Sequence, residues 1–310
     1  MLDILAVGEL LIDFTPMGKG QFKANPGGAP CNFLTMAQKL GAKTAFIGKV
    51  GEDAFGVQLK QVLDQQGIDT EGLVMDSRHG TTLAFVHLAE NGERSFSFYR
   101  KACADVMLSI EEVNLELLNR TKVLHFGSLS LTDDPIRSTV FSMLDYARAH
   151  GKLITYDPNY RPPLWNSEFE AIEFMKKGMG YADIVKVSEE ELELITGEKT
   201  LESGCQFLRE MGVRMVFVTL GEKGAYYTYE KGSGYVAGLE AKVADTTGAG
   251  DTFFGAVVQQ LVESGTPVTE IEVSKLEQII RVANTAAAIC VEGFGGIPSI
   301  PTKEQILNRL

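Results

Sequence analysis

Residues 245–256, DTTGAGDTFFGA, hold the side chains best suited to chemistry in this chain. Gly248, Ala249 and Gly250 lie between a threonine pair and Asp251, and an apolar run, TFFGAVVQQLVES, follows at once. A glycine turn that opens a helix points several free N–H groups at one spot, and the helix dipole adds partial positive charge there. The pattern predicts a site for a phosphate, or for the charge that develops while a phosphoryl group moves. Small residues let such a group reach the main chain. An acid at the rim would repel a phosphate ligand, but it could take the proton of a hydroxyl attacking the phosphorus. The alternative for Asp251 is a helix cap aided by Thr252. A cap, however, needs no flanking glycines.

Other chemistries lack their motifs. There is no G-x-x-x-x-G-K-[ST], no G-x-G-x-x-G after the first strand, no H-E-x-x-H and no G-x-S-x-G. His79, His87, His125 and His150 are scattered and read as structural. Cys31, Cys103, Cys205 and Cys290 show no metal-ligand spacing and no disulfide framework, which fits reduced thiols in a cytoplasmic protein. The 310 residues are 45% hydrophobic and 23% charged, an ordinary globular balance, with a net charge of −12. That acidity argues against nucleic acid and anionic membranes as partners, but not against a small anion held by local donors. The start, MLDILAVGEL, lacks the basic region and cleavage site of a signal peptide and reads as a first buried strand. No apolar run reaches membrane-spanning length.

Short apolar runs at 3–8, 44–50, 122–127, 152–157, 182–187 and 214–220 read as core strands. Amphipathic segments near 31–40, 54–66, 134–150, 168–178, 189–196 and 200–211 lie between them. This alternation predicts one α/β domain over 1–310, with a mainly parallel sheet and helices on both faces. Ligands then belong beyond the carboxyl ends of the strands. Two stretches break the pattern, 9–26 and about 81–103, and Asn91-Gly92 in the second is a hairpin signal. Together they predict a small β-lid. On a strand, Arg94, Phe96, Phe98 and Arg100 share a face. Residues 83–88 are apolar on both faces, so a second subunit could cover the lid and make a homodimer.

The chain resembles the ribokinase-like sugar kinases, also called phosphofructokinase-B-type kinases. The likeness rests on GGAPCNFLTMAQKLGAKTAFIGKVGEDAFG (27–56) and DTTGAGDTFFGA (245–256), in that order, and spans nearly the whole chain. The resemblance implies a three-layer α/β/α fold with a β-lid over a sugar. It implies that Asp251 is the catalytic base and that Gly248, Ala249 and Gly250 form the anion hole. It places a sugar site at Asp13, Gly28 and Asn32, where a carboxylate and an amide can read vicinal hydroxyls. GGAPCN and DPNYRPPLW (157–165) look like fructokinase forms, with Arg161 expected to reach the sugar. Ala29 stands where ribokinases typically carry lysine, which weighs against ribose.

The same resemblance implies ATP and Mg²⁺ as cofactors. VSEEELELITG (187–197) is similar to an N-x-x-E element that holds hydrated Mg²⁺; here Ser188 replaces the Asn, and Glu191 keeps the acid. Thr219, Gly221 and Gly224 would lie along the nucleotide, with Gly250 at its phosphates and Asn284 near the base. A K⁺ site is implied at Asp245, Thr247, Cys290, Gly293, Gly295 and Ser299. The expected activity is therefore ATP-dependent phosphorylation of D-fructose. The runner-up is a 2-keto-3-deoxygluconate kinase, whose lid pair Phe98 and Arg100 could match, or another small-sugar or nucleoside kinase. A catalytically silent sugar or nucleotide sensor is the reading from another class, and the intact GAGD speaks against it.

Overall fold

The computed structural model describes residues 1–88 and 94–310, with side chains for all of them except 88 and 94–96. In chain order the strands are β1 Ile4–Val7, β2 Leu11–Gly18, β3 Gln21–Gly27, β4 Thr44–Gly51, β5 Asp69–Asp76, β6 Leu83–Leu88, β7 Arg94–Tyr99, β8 Val123–Gly127, β9 Leu153–Asp157, β10 Ile184–Ser188, β11 Met215–Thr219, β12 Gly224–Tyr229 and β13 Gly232–Ala237. The helices are α1 Ala29–Lys39, α2 Ala54–Gln66, α3 Leu115–Asn119, α4 Ile136–Ala149, α5 Glu168–Met179, α6 Glu189–Thr196, α7 Leu201–Glu210, α8 Ala249–Ser264, α9 Val273–Cys290, α10 Gly296–Ser299 and α11 Lys303–Leu307.

Nine strands form one sheet in the order β13-β12-β11-β10-β9-β8-β1-β4-β5. Pairings from β5 through β11 are parallel, and β12 and β13 close that edge antiparallel. Strand β1 shows why the sheet is covered twice. Ile4 and Ala6 enter a core with Phe33, Phe253 and Ile280 from α1, α8 and α9. Leu5 and Val7 enter the opposite core with Leu144, Met175 and Leu208 from α4, α5 and α7. Two-residue alternation between two apolar layers requires a strand that is hydrophobic throughout. Each fully buried aliphatic or aromatic side chain contributes about 1.5–3 kcal/mol. The helix limits are set locally. Helix α2 starts where Asp53 accepts from the Phe55 and Gly56 amides and stops at Gly67, which is left-handed at φ 78°.

The expected core strands are all present, and β5, β12 and β13 are additions. Gly224, expected along the nucleotide, opens β12. The stretches expected to form the lid carry a second sheet, ordered β3-β2-β6-β7. The Asn91-Gly92 turn lies outside the described residues, as do the side chains of Arg94 and Phe96. Register puts Asn25, Asp13, Ala84 and Phe98 in one row on one face. The next row, Ala24, Phe14, Phe85 and Ser97, belongs to the other face.

Candidate active site

A cavity of about 630 Å³ opens at the carboxyl ends of the central strands. Segments following β1, β8 and β9 reach it at Glu9, Leu129 and Asn159, β10 ends on it at Ser188, and α8 brings its first turn to it. Parallel sheets concentrate their binding loops at this edge.

Helix α8 begins at Gly248, whose φ of 80° suits glycine and whose added Cβ would stand 3.2 Å from the Gly296 Cα. Asp251 is not the cap. It is the third helical residue, 7% exposed, and α8 has no side-chain cap bond. Its carboxylate is held from outside the helix. Asn32 Nδ2 donates to Asp251 Oδ2 at 2.8 Å, and Asn159 Nδ2 approaches Oδ1 at 3.4 Å. Burial pushes the Asp251 carboxyl above its ordinary range, while the Asn32 hydrogen bond and the charges of Lys186 and Arg161 hold that rise back. A raised carboxylate is a stronger base. Gly248 and Gly250 line the cavity. Ala249 is not a lining residue, and its amide donates to the Thr246 carbonyl at 3.3 Å. The amides of Gly250 and Asp251 are first-turn donors with no intrahelical partner, the kind of group that suits an anion.

Several site residues escaped the sequence reading, among them Asn159, Lys186 and Glu9. Lys186 Nζ donates to both oxygens of Asp157, at 3.1 and 2.9 Å, and is almost fully buried. A Cβ on Gly250 would lie 2.8 Å from that ammonium, so glycine is what lets the cation rest against the helix turn. Burial alone would lower the Lys186 pKa, but Asp157, Glu191 and Asp251 together raise it, so the ammonium stays charged. The available signal was a lysine inside the apolar run DIVKV. Glu9 is another polar group missed on the cavity wall. It is 1% exposed, and its Oε1 accepts from the Ala29 amide at 3.0 Å. Burial pushes its carboxyl up to about 7, against the pull of its own backbone amide and of Arg100.

On the expected sugar side, Asp13, Gly28, Asn32, Phe98 and Arg161 all line this cavity. Burial pushes Asp13 up to about 7, with Arg161 opposing and Asp245 and Asp251 adding to the rise. Gly28 has φ 118°, and a Cβ there would come within 2.5 Å of the Glu9 carbonyl oxygen. Arg100 is the exception. It lies just past β7, is 5% exposed, and donates from Nε to Asp105 and from Nη1 to Thr132, each at 2.7 Å. A buried guanidinium needs its carboxylate, and that pairing turns Arg100 away from the cavity wall.

On the expected nucleotide side, Ser188 and Glu191 line the cavity as a capping box. Glu191 Oε2 accepts from the Ser188 amide at 2.8 Å, and Oε1 accepts from the Tyr160 amide at 2.7 Å. Thr219 sits directly across from Ser188 in the β10–β11 register. Gly221 and Gly224 frame a short turn after β11. Asn284 donates to the Val236 and Ala237 carbonyls at 3.1 and 3.0 Å, beside a separate cleft of about 420 Å³. Thr219, Gly221, Gly224 and Asn284 do not line the main cavity.

The residues expected around K⁺ do converge. Asp245 Oδ1 accepts from the Thr247 amide and hydroxyl at 2.9 and 2.7 Å, and Oδ2 accepts from the Gly295 amide at 2.9 Å. Ser299 donates to the Gly295 and Gly296 carbonyls and lies 3.2 Å from Cys290 Sγ. The Cys290 carbonyl oxygen lies 3.7 Å from where a Cβ on Gly293 would stand.

The pfkB family carbohydrate kinase model matches residues 1–303. The chain is 41% identical to the probable fructokinase-3 of Arabidopsis thaliana, an alignment covering 99% of this chain and 91% of that one. Among solved structures it is similar to a fructokinase with bound ATP from Xylella fastidiosa, with a TM-score of 0.90, 29% identity, and coverage of 99% and 97%. It is likewise similar to a fructokinase double mutant from Vibrio cholerae O395 in a fructose, ADP and potassium ion bound form, with a TM-score of 0.91, 31% identity, and coverage of 100% and 98%. With this match across both sheets and the α8 turn, the chain belongs to the pfkB family of carbohydrate kinases.

Proposed function

We propose that the protein transfers the γ-phosphoryl group of ATP to the 6-hydroxyl of D-fructose. The fructokinase relatives support the sugar and the nucleotide. The observation that carries the chemistry is the buried Asp251, held by Asn32 and set beside the free amides of α8 in the cavity that also holds Asp13 and Arg161. Asp13, Asn32 and Arg161 orient the sugar through its hydroxyls. Phe98, on the inward face of the second sheet, covers it and excludes water, which discourages ATP hydrolysis. Asp251 accepts the hydroxyl proton as the sugar oxygen bonds to the γ-phosphorus. The bond from that phosphorus to the ADP oxygen breaks. The Gly250 and Asp251 amides and the Lys186 ammonium stabilise the charge on the transferring group. Ser188, Thr219, Gly221, Gly224 and Asn284 serve the nucleotide.

Both Glu191 oxygens already accept backbone amides, and an ionised carboxylate retains further lone pairs, so it fits Mg²⁺ through water rather than directly. Bound Mg²⁺ supplies charge neutralisation at the phosphates. The oxygen-rich junction of Asp245, Thr247, Cys290, Gly293, Gly295 and Ser299 carries one carboxylate and fits K⁺, which would brace the turn at Gly248. The face of the second sheet turned from the cavity is aromatic, packed at Phe14 against Phe55 of α2 and open at Phe22 and Tyr99. Phe14 stacks on Phe85 at 4.7 Å, and Phe22 and Tyr99 flank Phe85 at 5.5 Å each. Tyr99 is 67% exposed, a patch that a second copy would cover in a homodimer. Four free cysteines fit a cytoplasmic setting. Among the described residues no helix is long and apolar enough to cross a membrane.

The 2-keto-3-deoxygluconate alternative needs a basic lid residue for its carboxylate, and Arg100 is engaged by Asp105 instead. A coupled ADP-release assay over D-fructose, 2-keto-3-deoxygluconate, ribose and a no-sugar control tests the proposal. Fructose-dependent ADP release is expected. Preference for another sugar would overturn the substrate, and no release with any sugar would favour the sensor reading.

A further inference from the structure

Among the buried polar atoms without a hydrogen-bond partner in the described residues are Glu9 Oε2, Arg100 Nη2 and Ser130 Oγ. They come from the segments after β1, β7 and β8. Ser130 Oγ lies 3.3 Å from where a Cβ on Gly8, the residue before Glu9, would stand. Arg100 is the cation whose field acts on Glu9. Of the three residues, Glu9 lines the cavity, together with Gly28, Ala29, Asn32 and Leu129. Orphaned buried polar atoms are uncommon in native folds and mark the place of a water or a ligand group. Glu9 Oε2, like Asn32 Oδ1, is an unpartnered acceptor on a residue of the cavity wall, left for a guest.

The charges say what kind of guest. Arg100 is already matched by Asp105 at 2.7 Å. The Glu9 carboxylate is therefore surplus negative charge, and Asp13 adds to it on the same cavity wall. A hydroxyl can donate a charge-assisted hydrogen bond to such an oxygen. A substrate carboxylate placed against Glu9 would meet like charge. Oε1 is fixed by the Ala29 amide, so Oε2 points in a set direction. We propose that Glu9 is a specificity-determining residue whose Oε2 receives a hydroxyl of a neutral sugar and turns away acid sugars, with Arg100 and Ser130 behind it. This deepens, and rests on, the reading of the cavity as a sugar-kinase site.

The test uses the full chain, Glu9→Ala and Glu9→Gln, assayed at about pH 8.5, where a carboxyl titrating near 7 is ionised. Glu9→Ala is expected to raise KM for D-fructose about tenfold or more, with kcat changed less and KM for ATP within about twofold. Glu9→Gln keeps the volume and removes the charge. It should narrow the kcat/KM preference for D-fructose over 2-keto-3-deoxygluconate by about tenfold. Melting curves show that each variant is folded. A folded Glu9→Ala with wild-type KM for the sugar, or a folded Glu9→Gln with an unchanged preference, overturns the proposal. The wild-type arm judges the fructose reading separately. If another neutral sugar is preferred, the same ratios are read with it, and a wild-type preference for the acid sugar overturns the proposal. If no sugar is phosphorylated, the kinase reading fails, and Glu9 is judged by calorimetric D-fructose binding, which Glu9→Ala must weaken.

Discussion

Replacing Asn32 by alanine isolates the bond that sets the base. Its Nδ2 donates to Asp251 Oδ2 at 2.8 Å, and Asn32 is only 3% exposed, so water cannot readily substitute. A hydrogen bond to a charged group contributes about 1.5–3 kcal/mol. At about 1.4 kcal/mol per tenfold in rate, that is roughly 10–100-fold in kcat near neutral pH. Alanine suits the interior of α1, so the helix itself should persist. The sign of the pH effect follows from the charge. The Asn32 bond favours the ionised form of Asp251, and its loss leaves burial less opposed, so the carboxyl rises further. Only the ionised form can accept the hydroxyl proton. The acid limb of the kcat profile should therefore move to higher pH in Asn32→Ala, and the deficit should shrink as pH rises. Initial rates of ADP release at saturating sugar and ATP, taken across the pH range, give both quantities. An unmoved limb with a loss below about twofold would refute the idea that Asn32 tunes and holds the base, since a lost bond of this class costs more.

Arg161→Ala should raise KM for the sugar while ATP binding, measured by calorimetry without sugar, stays near wild type; equal loss of both would point to misfolding. Lys49 Nζ pairs with Asp76 at 2.9 Å and Glu112 at 2.8 Å and is 2% exposed. Lys49→Ala removes the buried ammonium and leaves Asp76 only its bonds from His79 and the Arg78 amide; it should cost up to about 3–5 kcal/mol in urea unfolding, and a loss below about 1 kcal/mol would refute this. Burial pushes the Asp76 carboxyl up, but His79, the Arg78 amide and Lys49 outweigh it and hold it below the ordinary range. A depressed folded-state pKa gives stability that is full above the unfolded value of about 3.9 and is lost as pH falls below it. Acid unfolding of the wild type should show that loss, and Lys49→Ala should show less of it. Tyr99→Asp places a charge on the exposed aromatic face and should convert a dimeric mass in solution to a monomeric one, whereas a monomeric wild type would remove the dimer.

Much of the fold is legible in the sequence because its signals are local. Apolar runs between polar segments locate β1, β4, β8, β9, β10 and β11, and the capping and stop residues Asp53 and Gly67 fix α2. Strand β12 is obscured by Gly221 and Gly224, which read as loop residues. Its tyrosines nonetheless alternate, with Tyr227 and Tyr229 in one core and Tyr226 in the other. The glycine turn and Asp251 are equally visible, because a short motif contains them. The partners of Asp251 are not. Asn32 is 219 residues away, and Lys186 meets Asp157 across two neighbouring strands. Arg100 shows the limit of face counting. Period two places it with Phe98 only while the strand lasts, and β7 ends at Tyr99.

The central claim is that one buried carboxylate takes the sugar proton. Asp251→Asn keeps the shape and removes the base. With D-fructose, kcat for ADP release should fall about 10²–10⁴-fold while calorimetric ATP binding is largely kept. Full activity in that variant, with folding and nucleotide binding intact, would contradict the account.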